Sequence, residues 1–367
     1  MFSADLGVQA AGAPPFTGTQ FLAAAVVNSP YVRLYPWTSS GFGTAYSNPA
    51  SLPATIPNAC AFTPTGSTVG NFVAFVGGGS ADPKSSSPFF TAVYPFSISG
   101  FGARTSQPTL IPSAYAISCA FSGNGQTLIV GSEVSARDTY MNAYAWNGAG
   151  FVTRRGDPAS GSSNSAPAAD IAFNPSGTVV VAALSGGQRL NAFSWTDVSG
   201  FGSKFSNPSP LPAGGVLGIA FSPSGDVIAA AVDTSPFLQA YAWSGTGFGS
   251  IFSSPSTLPG STATGVAFSP AGNAIALSTN SSPFIHAYAW SGSGFGSKFS
   301  NPSTIPPNAA NRCAFSLDGN AVAVCHSGSP SVTVYAWSGA GFGAKFSNPS
   351  VIPDVTGSRG CAFGVIP

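Results

Sequence analysis

The chain has 367 residues, of which 6% are charged and 44% hydrophobic, and its formal net charge is +1. No basic tract could neutralise a run of phosphates, so nucleic acid is not an expected partner. No apolar run approaches the ~20 residues of a membrane span, so no membrane insertion is expected either.

In chain order, Met1 to Gln20 carries no Lys or Arg ahead of a hydrophobic stretch, so no secretory signal is visible and residues 1–19 read as an N-terminal extension. Three strands follow, Phe21 to Val27, Tyr31 to Trp37 and Phe42 to Tyr46, without a preceding partner of their own pattern. From there a Gly-Phe step recurs at Gly41, Gly100, Gly150, Gly200, Gly247, Gly294 and Gly341, at intervals of 59, 50, 50, 47, 47 and 47 residues. Repeats of this length, each holding four short strands, predict an all-β, seven-bladed β-propeller.

The repeat starting at Thr264 shows the expected unit. Strand A is Val266 to Phe268, followed by a Ser-Pro-Ala-Gly turn in which Gly272 can take positive φ. Strand B is Ala274 to Ser278, strand C Phe284 to Trp290, and strand D Phe295 to Phe299, which ends at Asn301-Pro302. Both faces of strand C are largely apolar, as a blade sandwiched between two neighbours requires.

At the C-terminus, Cys361-Ala362-Phe363 repeats the strand A pattern with nothing after it. The expectation is that this segment supplies strand A to the blade begun at the N-terminus, so that residues 20–53 and 358–365 form one closing blade of a single domain spanning 1–367. The rival donor, Ala11 to Phe16, carries Pro14 and Pro15 and would make a poor central strand.

Four cysteines, Cys60, Cys119, Cys313 and Cys361, each precede Ala-Phe in the slot held elsewhere by Ile171, Ile219 and Val266. That slot suits a small buried hydrophobe rather than a disulfide or metal ligand. No cofactor or metal is expected. A Tyr-x-Trp pair recurs in strand C, as in Tyr241/Trp243 and Tyr288/Trp290, and admits two readings: packing between blades, or platforms for sugar rings. His286 and His326 stand without paired carboxylates, so neither is expected to act as a catalytic base.

Two surface sets stand out as candidates for binding. Arg104, Arg154, Lys204, Lys298 and Lys345 occupy the fourth place after the Gly-Phe glycine on the outermost strand, either blocking sheet-edge pairing or forming a ring that docks on an acidic surface. The second set follows from asymmetry: strand A to strand C spans 22 residues in four blades but 34 from Phe62 to Phe96 and 25 from Phe121 to Trp146. The inserted loops carry Asp82, Lys84, Glu133, Arg137, Asp138 and Tyr140 to one face, as a candidate partner-binding surface.

The segments Ala220 to Val232 (AFSPSGDVIAAAV) and Ala240 to Gly245 (AYAWSG) resemble WD-repeat propellers, without that family's Gly-His and Trp-Asp pairs. The WSGxGFGxKFSNPxxLP phrase is similar to repeats of tailed-bacteriophage virion proteins. The resemblance implies a non-enzymatic virion structural or attachment protein, such as a capsid decoration, tail or fibre component, whose partners are other virion proteins or host surface glycans. A low charge content fits such a surface, and the alternative expectation is a secreted multivalent lectin. No catalytic residues are expected.

Overall fold

The computed structural model describes residues 18–78, 90–109, 114–133, 139–158 and 166–367. The described residues form seven four-stranded antiparallel sheets and no helix, arranged as a β-propeller. Blade six is representative: Ala263–Phe268, Ala274–Thr279, Ile285–Trp290 and Phe295–Lys298 are its strands A to D, from the channel outwards. Its A–B turn is closed by Gly272 at φ +70°, where the Gly272 N–H donates to the Ser269 carbonyl at 2.8 Å.

One local expectation is corrected at the B–C turn. Phe284 does not begin strand C; it sits in the turn at φ +67°, and its carbonyl accepts the Thr279 N–H at 2.9 Å. Tyr31, Phe237 and Ser331 take the same left-handed conformation after Ser-Pro in their own blades. Such backbone is uncommon for bulky residues, and here the hydrogen bond back to strand B holds it.

The ring closes as the terminal patterns require. Ser358–Ile366 pairs antiparallel with Thr19–Val26, in register from Thr19 opposite Ile366 to Ala25 opposite Gly360, with a bulge before Val26 opposite Ser358, and the sheet continues through Val32–Thr38 to Gly41–Phe42. A side-chain clasp adds to the ladder: Asn28 donates its backbone N–H to Asp354 Oδ2 at 2.6 Å and its Nδ2 to Oδ1 at 3.1 Å. The rival strand, Ala11 to Phe16, lies outside the described residues.

Tryptophans rivet neighbouring blades. Trp243 meets Phe205 of the preceding blade at 5.1 Å, edge to face, and Trp37, Trp290 and Trp337 meet Phe346, Phe252 and Phe299 in the same way. These Trp rings are 4 to 5% exposed and the strand C tyrosines are fully buried, so the aromatic ladder is interblade packing rather than a row of open platforms.

Buried histidines link this packing to pH. His286 is 3% exposed, and both ring nitrogens lack a hydrogen-bond partner among the described residues. Burial, helped by Lys298, pushes its imidazole down to about 4, and burial lowers His326 as well. With the folded value below the ordinary one, the unfolded chain binds the proton first as pH falls. The stability from neutral His286 is therefore complete above about 6.5 and drains away toward pH 4, by roughly 3 kcal/mol at most. Melting curves at pH 7.5 and 4.5 should show His286→Leu losing less on acidification than the native chain. Equal losses would assign the acid sensitivity elsewhere.

Candidate functional site

Each strand A enters the central channel from the face that also carries the B–C and D–A connections. The second residue of each strand rings the mouth: Asn58, Ile117, Ala169, Leu217, Thr264, Asn311 and, in the closing strand, Arg359. With neighbouring residues they line a funnel of about 470 Å³, within the size range of small-molecule sites. Beneath lies a chamber of about 40 Å³, room for water, which shares Asn58 and Arg312 with the funnel.

The next position along strand A holds small residues in five blades: Ala59, Ser118, Gly218, Gly265 and Gly360. Blades four and seven depart from that pattern with Asp170 and Arg312. Gly265, on blade six, makes room for the side chain of Arg312. A Cβ at Gly265 would stand 3.1 Å from both Cα and Cδ of Arg312, tighter than ordinary contact.

Arg312 reaches across the channel. Its Nη1 donates to the carbonyls of Thr264 and Asn311, and its Nη2 to the carbonyl of Ala169 at 2.9 Å, a residue three blades away. A guanidinium has five N–H donors, so Nε–H and one Nη2–H remain without a hydrogen bond among the described residues. The guanidinium thus forms the floor of the funnel and the lid of the chamber.

Asp170 lines the chamber and is 4% exposed. Oδ1 accepts the Ile171 N–H at 3.1 Å, and Oδ2 accepts the Ile219 N–H of the next blade at 3.0 Å. Each oxygen retains a further lone pair. The only ion pair among the described residues is Arg154 with Asp157, so Asp170 and Arg312 face one chamber without neutralising each other directly.

Further polar groups are held at the mouth. Asn58 Nδ2 donates to the Ala116 carbonyl at 2.8 Å, and Arg359 donates to Asn58 Oδ1. Asn311 Nδ2 donates to the Ser358 carbonyl at 2.7 Å. Cys60, Cys313 and Cys361 also line the chamber, but all three thiols are raised, Cys60 and Cys313 by burial, Cys313 to about 12. For Cys361 a hydrogen bond with Cys325 acts ahead of burial, and all three stay protonated at neutral pH and are poor nucleophiles. Among the described residues, no three His, Cys, Asp or Glu side chains gather to hold a metal.

Of the residues singled out from the sequence as binding sets, those among the described residues lie elsewhere. Asp82, Lys84, Arg137 and Asp138 fall outside the described residues, and Glu133 is exposed after strand B of blade three. Tyr140 is corrected: it is fully buried and its hydroxyl accepts from Asn191 Nδ2 at 3.0 Å, so it cannot be a displayed contact residue. Its aromatic ring follows the hydrophobic rule rather than the loop it borders.

The outer cations are tied into neighbouring backbone and turns, four of them within their own blade. Lys298 and Lys345 each donate to the Asn three residues on, Asn301 and Asn348, and Lys204 donates to Asn207 at 2.8 Å and to Gln188. Arg154 bonds Asn142 at 2.7 Å and Asp157, while Arg104 donates to the Leu52 carbonyl of the preceding blade connection at 2.9 Å. In four of the five blades the repeated basic residue therefore fastens the end of strand D to the turn that leaves it, and Arg104 instead ties its blade to the preceding connection.

No protein-family model matches this sequence, and no curated protein matches it. Solved structures do. The periplasmic gluconolactonase of Pseudomonas aeruginosa superposes with a TM-score of 0.68 at 17% identity, over 95% of this chain and 99% of that one. A putative 6-phosphogluconolactonase of Bacteroides fragilis gives 0.70 at 12% identity, over 96% and 100%. One from Bacteroides uniformis gives 0.68 at 14%, over 95% and 99%. At these identities the likeness establishes the shared seven-bladed propeller.

Two expectations are corrected by this finding. These three structural neighbours carry lactonase names rather than those of WD-repeat or virion proteins, so the resemblance to those groups holds only for the blade architecture. The expectation of a non-enzymatic virion component, or a lectin in its place, falls with it. The physical reason lies in the channel. Absence of a catalytic motif along the chain excludes nothing when a propeller brings residues as distant as Asp170 and Arg312 to one small chamber.

Proposed function

We propose that the chain is a hydrolase that opens a cyclic ester at the floor of the central funnel. The observation carrying this reading is the pair of charged residues, Asp170 and Arg312, set into an otherwise small and neutral ring of the channel. The lactonase names of the structural neighbours support the same class.

The chemistry needs a base, a water and a donor for the developing oxyanion. A water in the chamber gives its proton to the Asp170 carboxylate as its oxygen attacks the ring carbonyl carbon. The carbonyl electron pair moves onto oxygen, where the free N–H groups of Arg312 meet it. Collapse restores the C=O bond and breaks the bond to the ring oxygen. That oxygen takes the proton back from Asp170, leaving a hydroxy acid. The three carbonyls gripping Arg312 hold the guanidinium in place, so little reorganisation accompanies charge development.

Hydrolysis of glucono-δ-lactone and δ-valerolactone by the purified chain, against the spontaneous rate, tests the reading. Asp170→Asn and Arg312→Met should each lower kcat about 100-fold or more. Lys345→Ala, far out on strand D, should leave the rate alone. Native protein that accelerates neither ring opening, or folded Asp170 and Arg312 variants with full activity, would overturn it.

A further inference from the structure

We propose that the funnel is built for a two-sided substrate, a lactone with an aliphatic substituent on one side and its ester oxygens on the other. This rests on the reading above and concerns which cyclic ester the site takes. The observation is the order of residues around the mouth. Three consecutive blades, three to five, present Ile117, Ala169 and Leu217, all half-buried and all apolar. The remaining four, six through two by way of the closing blade, present Thr264, Asn311, Arg359 and Asn58. Seven positions equivalent by repeat are thus split into one continuous apolar arc and one continuous polar arc. Val27, whose N–H donates to the Gly357 carbonyl at 3.1 Å, is the apolar exception on the polar side.

The split has direct consequences for binding. A ring hydroxylated all round, such as an aldonic lactone, must turn some hydroxyls toward Ile117 and Leu217, where they give up water and gain no partner. An alkyl chain on that side instead leaves water for an apolar wall, at a gain of roughly fourfold in affinity per buried methylene. The ester group then faces the polar arc, over Arg312. A volume of about 470 Å³ accommodates a lactone with several chain carbons. Ile117 and Leu217 are accordingly assigned as specificity-determining residues, on blades that do not carry Arg312.

The test compares kcat/KM of the full chain for δ-hexalactone, δ-decalactone and glucono-δ-lactone. δ-Decalactone carries a pentyl chain where δ-hexalactone has a methyl, four more methylenes, and should exceed it by about tenfold or more, with glucono-δ-lactone the poorest. In an Ile117→Asn, Leu217→Asn double variant, checked for folding by its melting curve, the decalactone preference should fall toward one. A preference for glucono-δ-lactone, or a ratio unmoved by the double variant, would overturn the proposal. If no lactone is hydrolysed, the assigned reaction fails, yet the two-sided funnel is still measured by calorimetry with 5-hydroxydecanoate and gluconate. Tighter binding of 5-hydroxydecanoate that the double variant loses supports it, and equal or absent binding of the two acids refutes it.

Discussion

Deleting residues 360–367 is expected to abolish the cooperatively folded monomer. The deletion removes most of a strand that pairs with Thr19–Val26 along its whole length. It also takes away Phe363, which is fully buried and meets Trp37 at 5.5 Å. Blade one would keep three strands, with Phe21 to Ala25 presenting an unpaired inner edge in a core designed to exclude water. Blades seven and two would each lose a packing face at the same time. Size-exclusion chromatography and a thermal melt should show aggregation or a transition lost or far lowered. A truncated chain that remains monomeric and melts like the full one would refute the closure. The milder Phe363→Ala should remain foldable while losing roughly 3 to 5 kcal/mol.

Trp243→Ala should produce the largest loss among single substitutions remote from the channel, roughly 3 to 5 kcal/mol. The indole stands between Phe205 at 5.1 Å, Phe221 at 6.0 Å and Phe248 at 5.1 Å, and so joins blades four and five. Its removal leaves a cavity that neither rigid sheet can collapse to fill. Denaturant unfolding should show a lower midpoint with an unchanged slope. Hydrolysis below the melting temperature should persist, because Trp243 lies outside the residues lining funnel and chamber. A stability within 1 kcal/mol of the native chain would remove the interblade rivet from the account.

The recurrence of Gly-Phe, the alternating apolar strands and the orphan Cys361-Ala362-Phe363 were enough to determine the seven blades and the way the ring closes. Both are local patterns repeated many times, so each copy corroborates the next. The burial of the strand A cysteines followed from the same alignment, because Ile171, Ile219 and Val266 occupy their slot. The channel pair was also written in the alignment, as two charged residues in a column otherwise of Gly, Ala and Ser. A substitution in one column of the repeat is a weaker linear signal than an inserted loop, and Tyr140, which borders such a loop, is nonetheless buried.

What the tertiary structure alone decided is convergence. Asp170 and Arg312 lie on blades three apart, and nothing in their local sequence states that one guanidinium spans the channel to the Ala169 carbonyl. Nor can a linear pattern show that Ile117, Ala169 and Leu217 face Thr264, Asn311, Arg359 and Asn58 across one funnel. Repeats encode the strand, whose hydrogen bonds and packing are local. The ring supplies the geometry between strands, and only there do distant side chains acquire a common environment in which their charge and polarity have chemical meaning.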